Sequence, residues 1–144
     1  ARAERNDISL AVLFLDLDGF KLINDNYGHV RGDKILSGVG ERLAGIMRKG
    51  DTVARFGGDE FVVLVPEVKT EEGLKNIAGK IVKAVKKPFT IQKEQVCFTV
   101  SVGIAVFPRD GVTSEDLLKH ADSALYKVKT GGRNNYKFFS ASAD

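Results

Sequence analysis

The run ISLAVLFLD, Ile8 to Asp16, is almost continuously apolar. It is too short to be a helix core with flanks, and it reads as a strand buried on both faces. Such a strand needs a packed layer on each side of its sheet, which the rest of the chain must supply. The run ends in acid. In LDLD, Asp16 and Asp18 emerge where the strand meets a loop, and strand alternation sets both on the same side of the sheet.

Beyond the acids, DGFKLINDNYG turns helical for a short piece. VRGDKILSGVGERLAGIMRK then places Ile35, Leu36, Val39, Leu43, Ile46 and Met47 on one stripe at helical spacing, despite interior glycines. Two strands follow, TVARF and FVVLV, with Pro66 closing the second. A helix from about Thr70 to Lys87 buries Leu74, Ile77, Ile81 and Val85 and stops at Pro88. QVCFTVSVGIAVF reads as one long strand, with Cys97 inside it as a small buried hydrophobe. The last helix starts at TSEDLL, where Thr113 caps and Asp116 follows three residues on. It ends at Gly131 and Gly132, His120 reads as a surface residue on it, and NYKFF is a final strand. The order favours an α+β or α/β sandwich with an antiparallel hairpin at its heart over a doubly wound sheet. There is no internal repeat, low-complexity segment or linker.

A chain of 144 residues, 43% hydrophobic, is long enough for one core without staples, so a single domain over residues 1–144 is expected. Basic residues exceed acidic ones by 22 to 19 and are spread along the chain, which disfavours a nucleic-acid partner and gives no sign of direct membrane contact. One cysteine allows no disulfide framework, which fits a reducing cytoplasm. No apolar run is long enough to span a bilayer, and ARAERNDISLAV lacks the regions of a signal peptide. The abrupt start is what a domain cut from a longer chain would show. The expected location is the cytoplasm, whether or not the parent protein is membrane-attached.

The chemistry concentrates at RFGGDEFVV. Gly-Gly and Gly-Asp are ordinary hairpin punctuation, because glycine supplies positive φ, and acids at hairpin tips are usually solvated. If the first strand lies beside this hairpin, however, Asp16 and Asp59 converge on one cleft floor. Hard oxygen ligands from two strands, with room for water and phosphate oxygens, suit Mg²⁺ at a nucleotide-processing site. DGFK then opens a helix whose first N–H groups can receive a phosphate. Neither G-x-x-x-x-G-K-[ST] nor G-x-G-x-x-G occurs, so a P-loop enzyme and a dinucleotide-binding fold are disfavoured.

LDLDGFKLINDNYGHVRGD, RFGGDEF, SVGIAVFP and ADSALYKVKTGGRN together resemble, in order and spacing, the GGDEF domain of the diguanylate cyclases. The resemblance implies an α+β palm-like sandwich similar to class III nucleotide cyclases, with a mostly antiparallel central sheet that includes the GGDEF hairpin and is flanked by helices. It implies a bacterial signalling nucleotidyltransferase that joins two GTP into cyclic di-GMP and releases two pyrophosphates. The cofactor would be Mg²⁺, or Mn²⁺, and two protomers would meet transiently as a homodimer. The family's upstream D-x-L-T-G-L-x-N-R segment is missing, with ARAER as a remnant.

Carried over by residue, the resemblance makes Asp16, Asp59 and the Leu17 carbonyl the metal ligands, with Asp59 and Glu60 the catalytic acids. Phe20 and Lys21 fall in the phosphate loop, Asn24 and Asp33 read guanine, and His29 lies beside ribose and base. Lys129 and Arg133 match the β- and γ-phosphate cations, and Arg48 and Asp51 match an R-x-x-D site through which cyclic di-GMP inhibits. Each residue also has an ordinary structural reading. Asn24 and His29 could be turn residues, Asp33 a helix cap, Lys129 and Arg133 complements to a helix carboxyl end, and RKGD a basic helix end before an acidic turn. The alternative function is a non-catalytic module that binds GTP or cyclic di-GMP. A template-directed polymerase is disfavoured, since the chain has no room for a template-holding domain and no basic stripe.

Overall fold

The computed structural model describes residues 8–140 of the chain. ARAER lies outside the described residues. The central strand β1, Ile8–Asp18, pairs antiparallel with β3, Glu60–Val65, on one side and with β6, Thr99–Pro108, on the other. β2, Thr52–Gly57, and β7, Asn135–Phe138, form the edges, giving the order β2-β3-β1-β6-β7, in which only β6 and β7 are parallel. The sheet is therefore mixed and mostly antiparallel, and the fold is α+β.

Both faces of β1 are covered, as its apolar run requires. Ala11, Leu13, Leu15 and Leu17 join one core with Ile35, Leu36, Val39 and Leu43 of helix α1, Phe20–Ile46, and with Leu74, Ala78, Ile81 and Val85 of α2, Glu71–Lys86. On the opposite face Val12 and Phe14 meet Leu117, Ala121 and Leu125 of α3, Ser114–Thr130. The helix starts follow local rules. Thr70 Oγ1 accepts from Gly73 N–H and Thr113 Oγ1 from Asp116 N–H, each satisfying an otherwise unpaired amide. Helix α1 is broken at Gly28, with φ 86° and ψ 161°, so the short and long helical pieces read from sequence are two arms of one bent element. Arg42 fastens α1 to the end of α2. Its guanidinium lies 3.4 Å above the Phe89 ring and donates to the carbonyls of Ala84, Lys87 and Pro88 at 2.9, 2.7 and 2.8 Å.

Three expectations fail. QVCFTVSVGIAVF is not one strand: β5, Glu94–Val96, pairs with β4, Phe89–Ile91, as a separate two-stranded sheet, and β6 begins only at Thr99. The break comes where Phe98 turns inward to stack on Phe89, with centroids 5.1 Å apart. Cys97 consequently faces out and is exposed, not a core hydrophobe. His120 is half-buried instead of on the surface, stacked 4.1 Å from Phe139 with Nδ1 2.6 Å from the Asp110 carbonyl oxygen.

Candidate active site

Register brings the two acidic pairs together. Asp16 pairs with Glu60 across β1 and β3, and Leu17 N–H donates to the Asp59 carbonyl at 3.3 Å, tying the hairpin tip to the end of β1. The tip is braced from its other side by Arg55, whose Nε and Nη2 both donate to the Gly58 carbonyl at 3.2 and 3.0 Å. Neither Gly57 nor Gly58 adopts a left-handed φ, so positive φ is not why this pair is glycine. A Cβ on Gly57 would come within 3.1 Å of Glu60 Oε1, whereas one on Gly58 would meet open space.

A cleft of ≈ 240 Å³ is lined by Asp16, Leu17, Phe20, Lys21, Asp59, Lys129 and Arg133, with Asp18 and Gly19. Gly19, at φ 74°, turns the chain from β1 into α1 and so sets Phe20 and Lys21 on the rim. Asp16 is 7% exposed. Its Oδ2 accepts from Lys129 Nζ, while its Oδ1 is buried without a hydrogen-bond partner. Burial, followed by the nearby Asp16 charge, raises the Asp59 carboxyl above its ordinary value. Burial also raises Glu60, with the charges of Asp16, Asp59 and Asp122 adding to it. Lys129 is raised chiefly by its hydrogen bond to Asp16. Burial and the neighbouring acids thus disfavour ionised Asp59 and Glu60, Lys129 pairs with Asp16, and Lys21 and Arg133 also line the cleft.

Asp18 has a different task. It accepts from Thr99 Oγ1 at 2.6 Å, Ser101 Oγ at 2.7 Å and Asn134 N–H at 3.1 Å, and Arg133 Nε lies 4.0 Å away. Arg133 and Asn134 take left-handed backbone, φ 63° and 54°, so Asp18 anchors the loop that aims Arg133 at the cleft. Asp18 and Arg55 are the structural partners that motif matching passed over. LDLD already set Asp18 on the acidic side, and the alternation T-V-S on the facing strand supplied its donors.

The other expected residues lie away from this cleft. Asn24 sits one turn into α1 against the second arm, where a Cβ on Gly32 would come 1.9 Å from its Oδ1. Asn24 is thereby brought beside the turn that carries Asp33. His29 and Asp33 are exposed, and Asp33 lies five residues past Gly28 and inside the helix, which excludes the helix-cap reading. Arg48 and Asp51 pair with each other at 3.4 Å, and Arg48 Nη2 also donates to the Glu67 carbonyl at 2.9 Å. They stand at the start of β2, a strand of 6 residues whose far end is the acidic tip.

Among the described residues no three His, Cys, Asp or Glu side chains are grouped to hold a metal. Two carboxylates and a carbonyl are too few for a dedicated structural site. They do fit Mg²⁺, which retains waters and takes substrate phosphate oxygens, and the buried Asp16 Oδ1, without a hydrogen-bond partner, is an atom that a cation would satisfy.

The charge balance gives a first prediction. Asp59 has its carboxyl raised in the fold, so its contribution to stability is present below its ordinary value of 3.8 and lost as pH rises through the higher folded value. At pH 7 the ionised carboxylate therefore weakens the fold. Asp59→Asn should raise the melting temperature at neutral pH, and the difference should close in acid below about pH 3.8. Equal melting temperatures at pH 7 would show that the ionised Asp59 carboxylate does not weaken the fold.

Comparison with known proteins identifies the family. Residues 1–135 match the family described as "Diguanylate cyclase, GGDEF domain". The chain is 46% identical over 141 residues to the bifunctional diguanylate cyclase/cyclic di-GMP phosphodiesterase MucR of Pseudomonas aeruginosa, covering 98% of this chain and 20% of MucR. It is 44% identical over 131 residues to the cyclic di-GMP phosphodiesterase NbdA of the same organism, covering 91% and 17%. The crystal structure of the GGDEF domain of TpbB from Pseudomonas aeruginosa superposes with TM-score 0.90 at 35% identity, covering 97% of this chain and 88% of that one. The chain belongs to the GGDEF, or diguanylate cyclase, family. It spans about a fifth of the length of MucR and NbdA. No helix among the described residues is long and apolar enough to cross a membrane.

Proposed function

We propose that this chain is a diguanylate cyclase domain, condensing two GTP into cyclic di-GMP with release of two pyrophosphates. The observation that carries the reading is the buried, unpartnered Asp16 Oδ1, set beside Asp59 in a cleft ringed by Lys129 and Arg133. Asp16, Asp59 and the Leu17 carbonyl would hold Mg²⁺ or Mn²⁺, which when bound supplies Lewis-acid stabilisation of charge on the phosphoryl oxygens. Phe20 and Lys21, which line the cleft at the start of α1, receive phosphates there. Lys129 and Arg133 neutralise the β- and γ-phosphates. Glu60, its carboxyl raised chiefly by burial, would accept the proton of the attacking 3′-hydroxyl. Asn24 and Asp33 read the guanine edge and His29 stands beside the ribose. A carboxylate at Asp33 accepts from N1–H and the 2-amino group, a donor pattern that adenine lacks.

One such constellation holds one GTP, so two protomers face each other across a two-fold axis, each 3′-oxygen addressing the other's α-phosphorus. Fixing the two reactants in that way supplies on the order of 7–11 kcal/mol of the barrier. Arg48 and Asp51 bind the cyclic di-GMP product and limit the reaction. The phosphodiesterase name of NbdA favours a second reading, a GTP-binding module that regulates a neighbouring domain without turnover.

The test is incubation of the purified domain with GTP and Mg²⁺ and chromatography of the products. Cyclic di-GMP should appear at a rate rising with roughly the square of enzyme concentration when dilute. GTP binding without product would replace the cyclase by the regulatory module, and absence of GTP binding would overturn both.

A further inference from the structure

The β4–β5 hairpin stands outside the central sheet, and the chemistry above makes no use of it. Its base is nevertheless built into the site's surroundings. Phe98, which follows β5, stacks on Phe89 at 5.1 Å and meets Phe20 edge-on at 6.4 Å, and Phe20 is the first residue of α1. Its tip turns through Gln92 and Lys93, both in left-handed backbone at φ 53° and 72°. From α1, Arg31 reaches this tip: Nε donates to Gln92 Oε1 at 2.8 Å, and Nη1 donates to Glu94 Oε1 at 3.1 Å. A planar guanidinium thus spans two side chains of the hairpin, one on either side of Lys93.

Arg31 occupies a particular place on α1. It lies in the first turn after the Gly28 break, where N–H groups have lost the carbonyls of a preceding helical turn, so this turn is held by what packs around it. Successive residues of a helix advance by about 100°, so Arg31 lies about 200° from both His29 and Asp33. The front of the turn presents His29 and Asp33, and the back is bound to the hairpin. On its inner side Gly32 admits the Asn24 amide so closely that a Cβ would sit 1.9 Å from Oδ1. Three residues with expected roles in base recognition therefore depend on where this one turn sits.

We propose that Arg31 is a positioning residue for purine recognition, tying the turn that carries His29 and Asp33 to the β4–β5 hairpin so that the hairpin sets how firmly the guanine edge is held. The inference rests on the GTP site proposed above. The Arg31 and Glu94 side chains are 40% and 54% exposed, so the pair adds little to global stability, and its effect falls on the local turn.

The test compares the parent chain with Arg31→Met, Arg31→Lys and the reversal Arg31→Glu with Glu94→Arg. GTP and ATP affinity are measured by calorimetry with Ca²⁺ as the cation, and amide hydrogen exchange is followed over residues 29–33. Arg31→Met should weaken GTP binding about three- to fivefold, the size expected for an exposed polar network. It should narrow the GTP-to-ATP ratio, speed exchange in that turn and leave the melting temperature in place. In turnover the change should be carried by KM rather than kcat. Arg31→Lys should recover part of the loss and the reversal most of it. Parent binding of GTP with unaltered affinity and exchange in Arg31→Met, or no recovery in the reversal, overturns this inference alone. A parent that binds no GTP overturns the functional reading itself.

Discussion

Asp16→Asn should lower the cyclase rate by at least about a hundredfold and leave the chain folded, the scale seen when one charge-stabilising group is removed from a reaction centre. The substitution keeps the side chain's shape in a position only 7% exposed. What it removes is the negative charge that Lys129 pairs with and that the bare Oδ1 offers to a cation. Lys129 loses the charged acceptor that raises it, but its side chain is 37% exposed and can be solvated. The fold should therefore survive while the proposed cation site is lost. Chromatographic assay beside thermal melting would check this. Metal-dependent activity close to the parent rate would remove Asp16 from the metal site.

Gly103→Ala should be the most damaging small substitution for the fold. Gly103 sits on β6 beneath α3, where an added Cβ would lie 2.1 Å from the Ala121 carbonyl oxygen and 2.3 Å from the Leu125 amide nitrogen. Those are backbone atoms of a helix, so no rotamer change relieves the clash, and α3 has to lift from the sheet. Overpacking of this kind costs about 3 kcal/mol. Lys129 and Arg133 ride on the end of α3 and the loop after it, so the displacement also draws these cations away from Asp16 and Asp18. Urea unfolding should show a lower midpoint at unchanged slope, and activity of the folded fraction should drop. An unchanged midpoint would mean that the helix and sheet are not in the contact described.

The local devices were legible because each is specified within a few residues. The apolar run of β1, the stripes of α1 and α2, the cap at Thr113 and the hairpin around Asp59 and Glu60 all appear where the sequence puts them. Motif spacing also picked out Lys129 and Arg133, which do line the cleft with Asp16 and Asp59. The β4–β5 hairpin was missed because strands of three residues show too little alternation to register. Cys97 was misplaced because an apolar run does not reveal where it turns. His120 was misread because its partners, Asp110 and Phe139, lie 10 and 19 residues away and carry no periodic signal.

By itself, then, the sequence determined which faces are buried, where helices start and stop, and which acids and cations are offered. Those properties follow from side-chain polarity and backbone preferences over short spans. Only the tertiary structure decided that Asp16 lies opposite Glu60, that Lys129 closes a pair across 113 residues, and that one Asp16 oxygen is left without a partner. It also decided that Asp18 anchors a loop, and that Gly57 and Gly58 are not there for a left-handed turn. Such facts depend on which strands become neighbours and in what register, and that is set by the packing of distant helices on both faces of the sheet.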